Sequence, residues 1–336
     1  MSAVVEQVFE TPTGKYLVDP YENWAAAEGV PIHTGLWLDL RKVETKPWAR
    51  FGVNGACCHL DGRCDFLTIF LLEIAPGQWS KPQHHLYEEV CFVISGSGET
   101  EIDLGGGKVQ TLTWGPGSLF AAPMNSSYRH RTTSAGPARI ACVNDLRYLL
   151  NLYRNERFMF ETPVEFPERG KGEVIADLAR VAVAPSERVN ELSATFDLTN
   201  GSIGTDVVEL QAGTYGRARR QMFGSLMFGV SGQGATISFQ DPKEERSRVE
   251  WGLGIVFGPV GLSFHQHFNL GADAARFLRV DLGTSTFPIL RPRKRAYGDT
   301  SVYASGNAEI AFIDEPAEIR ADWLAAIEKL GVTSRM

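Results

Sequence analysis

The sequence predicts an all-β protein of sandwich or barrel type, built twice, with an N-terminal arm and a C-terminal helix. Two observations carry this. Short apolar or alternating runs such as "FLTIFLLEIAPG", "GSLFAAPMN" and "ARFLRVDLG" are separated by Gly, Pro, Asn or Asp through the middle of the chain. The pattern also comes twice in the same order. "LLEIAPG" (71–77), "CFVISGSGETEI" (91–102) and "WGPGSLFAAPMNSSYRHRTT" (114–133) are followed by "VVELQAG" (207–213), "FGVSGQGATISF" (228–239) and "WGLGIVFGPVGLSFHQHFN" (251–269). Matching order, spacing and turn residues mark an internal duplication.

In chain order, residues 1–50 read as an arm with a short helix in "PYENWAAAEG" (20–29), started by Pro and stopped by Gly. The first strand block fills 51–150. Residues 151–200 read as a connecting segment, because "NLYRNERFMFETPVEFPERGKGEV" (151–174) is charged and contains proline. The second block fills 201–290. Residues 291–336 form a C-terminal segment whose "EPAEIRADWLAAIEKLG" (315–331) places Ile319, Trp323, Ala326, Ile327 and Leu330 on one apolar stripe.

The 336 residues are enough for two cores, and the net charge of −7 gives no global field that favours nucleic acid. The one basic run, "RPRKR" (291–295), reads as a solvated loop. No apolar segment reaches the ~18 residues a membrane span needs, and the N-terminus lacks a basic leader with an apolar core, so a cytoplasmic protein is expected. Five cysteines without regular spacing do not form a disulfide framework. Cys57, Cys58, His59 and Cys64 offer zinc-type ligands, but neighbours on a strand face opposite ways, so "LDGR" reads as a turn between strands. "GSGETEIDLGGGK" lies on hairpin turns, not between a strand and a helix, and no nucleotide or flavin motif is present.

The chemistry concentrates in "KPQHHLYEEVCFVISGSGE" (81–99). Gly77, His85, Glu89 and Gly96, then Gly117, Pro123 and Asn125 before "YRHR", resemble the two motifs of the cupin superfamily. Gly213 to Gly232, then Pro259, Gly261, His265 and Asn269, repeat the idea, so the chain resembles a bicupin over roughly 60–150 and 200–285. The resemblance implies two jelly-roll barrels in tandem. It also implies one metal (iron, manganese, nickel, copper or zinc) held by three nitrogens and one carboxylate oxygen, an arrangement suited to oxygen activation or Lewis-acid work.

The chain departs from the motif where Gln83 and Tyr128 stand at histidine positions. By strand parity Gln83, His85 and Glu89 face inward, and Tyr128 and His130 share a face, while His84 and Glu88 point away as surface polarity. A metal site of His85, Glu89 and His130 is expected, with Gln83 orienting a ligand or water and Tyr128 donating a proton or hydrogen bond. The alternative is a metal-free polar cluster. In the second block Arg219, Gln221 and Ser225 occupy the ligand positions while His265 and His267 remain. Arginine repels a cation and suits a carboxylate, so Arg219, Gln221, His265 and His267 are candidate substrate contacts, unless "GRARR" is a solvent loop. Trp79, Tyr87, Phe92, Trp114, Phe120, Phe223, Phe228 and Phe264 line a pocket for a flat substrate or simply pack the core.

The functional expectation is a non-haem, iron-dependent dioxygenase acting on a small aromatic or hydroxy-acid substrate. The alternatives are a metal-independent lyase, decarboxylase or isomerase using Tyr128, His130 and Glu89 as acid and base, and a non-catalytic small-molecule-binding bicupin. Open sheet edges predict a homodimer, with no nucleic-acid or membrane partner.

Overall fold

The computed structural model describes residues 8–10, 16–62, 66–163, 172–199, 201–220, 225–241, 245–261, 263–284 and 309–336. Cys64, Gln221, Phe223 and the basic run 291–295 lie outside them. The described residues form two jelly-roll barrels, each a large sheet closed by a smaller one. In the first barrel the large sheet runs in the order Glu173–Ile175, Leu119–Ala121, Glu89–Ser95, Ala138–Asn144, Thr68–Ile74, Val53–Leu60, Ile32–Gly35, and Lys46–Trp48 also pairs with Val53–Leu60. Its small sheet is Val109–Trp114, Gly98–Asp103, Ser127–Thr132. In the second barrel the large sheet is Ala184–Pro185, Leu192–Phe196, Ile203–Leu210, Ala275–Leu282, Leu226–Ser231, Ile255–Phe257, Trp37–Asp39. The small sheet is Arg219–Arg220, Phe264–Asn269, Gly234–Phe239, Ser247–Trp251.

Two-residue periodicity decides what each large sheet buries. Cys91 and Val93 enter the first barrel's interior with Cys57, Phe70, Leu72 and Cys142. Val90, Phe92 and Ile94 take the opposite face, with Ile69, Leu71 and Val143. That outer face meets Val207, Leu226, Phe228, Leu278 and Val280 of the second barrel. Sheets apolar on both faces read as continuous hydrophobic runs, and here the second face is the contact between barrels. Phe92 and Phe228 meet in it, ring centroids 5.8 Å apart.

The arm and the connecting segment are woven into both barrels. Trp37–Asp39, which precedes the first barrel, pairs with Ile255–Phe257 of the second. Glu173–Ile175, which precedes the second barrel, pairs with Leu119–Ala121 of the first. Matching arginines tie these segments down. Arg139 donates to the carbonyls of Leu40 and Val43, and Arg276 to those of Leu178 and Val181.

Helix α1 is Pro20–Ala27, capped by the Asp19 side chain, which accepts from Glu22 N at 3.0 Å. Two more helices follow the first block's last strand: α2 (Leu146–Tyr153), which straddles the boundary with the connecting segment, and α3 (Glu156–Phe160) within it. Leu146, Leu150 and Met159 bury into the first barrel's core, and Leu86 N donates to Met159 O, so α3 sits against the stretch that carries His85. Helix α4, Ala317–Glu328, buries Ile319, Trp323 and Ile327 against Tyr215 of the second barrel.

Candidate functional site

In the first barrel, Glu89 and Cys91 begin one strand two residues apart, so both side chains point inward. Cys142 lies directly opposite Cys91 in the strand pairing, and Tyr128 and His130 come from the small sheet. Glu89, Cys91, Tyr128 and His130 border a cavity of about 10 Å³, also lined by His85, Tyr87 and Phe120. That volume admits about one water-sized group, not an aromatic ring.

A buried hydrogen-bond chain borders the cavity. Glu89 Oε1 lies 2.7 Å from Tyr128 Oη, which lies 2.7 Å from His85 Nε2. His85 Nδ1 lies 2.8 Å from the Tyr87 carbonyl, so Nδ1 carries a hydrogen and a neutral His85 has only an acceptor at Nε2. Tyr128 has one hydrogen for two partners. Donated to Glu89, it leaves His85 Nε2 without a donor; donated to His85, it requires the carboxyl proton of Glu89 in the other bridge. Burial raises the Glu89 pKa to about 7, against the pull of Tyr128, which supplies that proton up to neutral pH. Burial lowers His85 to about 3 and His130 to about 4, so both imidazoles are neutral.

One further group converges. One ligand atom each from Glu89, Cys91, His130 and Cys142 lies within 4.8 Å of the others, all buried. The two thiols are 3.5 Å apart, and Cys91 Sγ is 3.5 Å from Glu89 Oε1. A tetrahedral zinc with Zn–S bonds of about 2.3 Å has its sulfurs about 3.8 Å apart, so these spacings fit a metal. Two buried atoms in the group have no partner, Glu89 Oε2 and His130 Nε2. The other His130 nitrogen is 2.8 Å from Thr100 Oγ1, which accepts the Trp114 indole N–H at 2.9 Å. Such a second contact is how proteins orient a ligating imidazole.

The structure brings Glu89 and His130 of the expected metal set together, but it engages His85 otherwise, with both nitrogens in hydrogen bonds. Gln83 is buried yet turned away from the cavity, its amide nitrogen donating to the carbonyls of Arg50, Lys81 and Pro82 at 3.1–3.2 Å. Cys91 and Cys142 were missed because a thiol in an apolar run reads as a small core residue. Glu88 does face away from the barrel, but that face is not surface. Its carboxylate accepts from the Ser202 backbone N–H at 2.7 Å and from the Ser202 hydroxyl, across the contact between barrels. Cys57 and Cys58 enter different cores, as adjacent strand residues must. Of the aromatic candidates, Tyr87 and Phe120 line the cavity, while Phe92 and Phe228 pack between barrels.

In the second barrel Arg219, His265 and His267 are buried. Arg219 Nη1 donates to Glu191 Oε1 at 2.5 Å. The two imidazole centroids are 5.3 Å apart. His267 repeats the His130 wiring: Nδ1 is 2.8 Å from Thr236 Oγ1, which accepts the Trp251 indole N–H at 3.0 Å. Burial first, then the Arg219 charge, hold both imidazoles well below the usual histidine range. Among the described residues no metal-ligating group assembles here.

Two jelly-roll barrels in tandem, with the glycine-bounded motif on the first, give the chain the fold of a bicupin. Residues 70–144 match the family described as Cupin domain. Two mutant structures of oxalate decarboxylase from Bacillus subtilis each align with TM-score 0.50 and 13% identity, over 75% of this chain and 78% of theirs. A structure of the same enzyme that concerns its Mn(II) centres aligns with TM-score 0.49 and 14% identity, over 77% and 78%. At this identity the likeness is one of fold. No curated protein sequence matches the chain.

Proposed function

We propose that the protein is a bicupin enzyme that holds one divalent metal in its first barrel and acts on a small molecule by proton-transfer chemistry of the lyase, decarboxylase or isomerase kind. The observation that carries this is the convergence of Glu89, Cys91, His130 and Cys142, with Glu89 Oε2 and His130 Nε2 left without partners beside a cavity. Two thiols among four ligands favour a zinc-type ion over the iron expected from the motif, and zinc has no redox chemistry. An ion held by all four would have a filled shell, so it would polarise a substrate oxygen only if one of them, such as Glu89, gave up its place. The chain's own residues supply the rest. Tyr128 presents its hydroxyl at the cavity and passes its single hydrogen to Glu89 or to His85, so one side chain serves as proton donor or acceptor. Phe120 and the stacked rings of Tyr87 and His85 (centroids 3.5 Å apart) keep the site dry and small. The dioxygenase reading needs a redox metal with open positions on His85, Glu89 and His130; oxygen uptake with phenolic acids would favour it.

Elemental analysis tests the proposal. Wild type purified without chelator should carry about one zinc-type equivalent, and His130→Ala and Cys142→Ala should lose it. Metal-free wild type that takes up no zinc on dialysis would sink it. We also propose a homodimer, supported by the Ile32–Gly35 strand at the outer edge of its sheet. Light scattering should give twice the 37.0 kDa chain mass; the single-chain mass would count against it.

A further inference from the structure

The second barrel repeats the first position by position, and its substitutions reverse the sign of the interior. Gly77 and Gly96 are separated by the same interval as Gly213 and Gly232, so Arg219 stands where Gln83 stands. The pairing agrees: Gln83 lies opposite Tyr128, and Arg219 opposite His265. Gln83 gives its amide hydrogens to backbone carbonyls. Arg219 gives Nη1 to Glu191, while its Nε and Nη2 are buried with no partner. Those two N–H groups share one edge of the guanidinium and point the same way, at the spacing of the two oxygens of a carboxylate.

The neighbours are also short of partners. His267 Nε2 and both nitrogens of His265 are buried without partners. Arg188 Nη1, 3.7 Å from the second oxygen of Glu191, makes no hydrogen bond either. Arg188 and Arg219 therefore share one carboxylate, and both keep buried N–H groups that it does not accept. Arg279, which also faces the histidines, has its own partners, Asp206 at 2.5 Å and Asp281 at 3.3 Å. Buried donors are rarely left unsatisfied, and this many together mark a place where something accepts them. A cation is repelled by the arginines, whereas a carboxylate accepts from both N–H groups on the open edge of Arg219.

We propose that the second barrel binds a small monocarboxylate, gripped side-on by Nε and Nη2 of Arg219 and contacted by His265 and His267. The site is separate from the metal group of the first barrel, and the same Trp–Thr–His wiring serves a cation in one barrel and an anion in the other.

The test is an NMR titration of the full-length protein with acetate, and with inorganic phosphate and chloride in parallel at constant ionic strength. Acetate should move the His265 and His267 ring signals saturably and leave His85 and His130 still. The Arg219→Met, Glu191→Gln double variant removes both partners of the ion pair, and Arg188, which loses Glu191, keeps the charge of Asp281. It should bind acetate at least about ten-fold more weakly. Arg219→Lys, which keeps the charge without the fork, should also weaken binding and carries the test if the double variant does not fold. No saturable shift in wild type, or acetate binding unchanged in a folded variant, overturns the site. Phosphate binding more tightly than acetate overturns the carboxylate assignment.

Discussion

Gln83 and Tyr128 both replace histidines of the cupin motif, and the structure gives them opposite roles. Gln83 anchors three backbone carbonyls, whereas Tyr128 links two buried titratable groups. Gln83→Ala should cost about 1–2 kcal/mol of stability and leave bound metal unchanged. Tyr128→Phe leaves Glu89 Oε1 and His85 Nε2 short of a partner and should cost about 1–3 kcal/mol. Urea denaturation with parallel metal analysis separates the two. Parity along "QHHLYEE" puts Gln83, His85 and Glu89 on one face, but the strand begins only at Glu89; His85 and Glu89 border the cavity while Gln83 turns to backbone carbonyls. Parity was not enough to find Cys91 and Cys142. Their partnership depends on the register of two strands, with 51 positions between the two cysteines' numbers, which no local pattern records.

The elements that repeat are those whose residues face a tight packing demand. Trp114 lies over Gly98 and Trp251 over Gly234, where an added Cβ would come within 2.3 Å and 2.1 Å of the indole ring. The glycines and tryptophans were visible in both blocks, and so was the duplication. Helices α2 and α3 were not: the charges in "LRYLLNLYRNERFMF" (146–160) obscure a stripe, Leu146, Leu150 and Met159, that meets the first barrel only after folding. Asp145, at the start of α2, accepts from Glu88 N at 2.9 Å and is fully buried, which lifts its pKa from 3.8 to about 7. Between those values the folded protein keeps a proton that the unfolded chain has released. The Asp145 contribution to stability therefore falls as pH rises across this window and levels off above it, by on the order of 2–4 kcal/mol, added to that of Glu89 and opposed by those of the buried His85 and His130. In Asp145→Asn, denaturation midpoints measured from pH 5 to 8 should lose most of this slope relative to wild type.

At the scale of the whole molecule, one apolar layer belongs to both barrels, so the barrels should unfold together. Phe92→Ala should cost about 3–5 kcal/mol and lower a single calorimetric transition. Splitting into two transitions would mean that the barrels are independent. Twin motifs made two barrels legible in the sequence, but the weave of the arms was not, since Trp37–Asp39 and Glu173–Ile175 carry no motif and owe their places to an edge supplied by the other half. The exchange is reciprocal: each half lends the strand that precedes it and borrows one in return. Severed between the halves, neither piece keeps a full complement of strands, so the two should be soluble only when produced side by side. The arrangement has the form of two interlaced copies of one ancestral unit, later joined end to end.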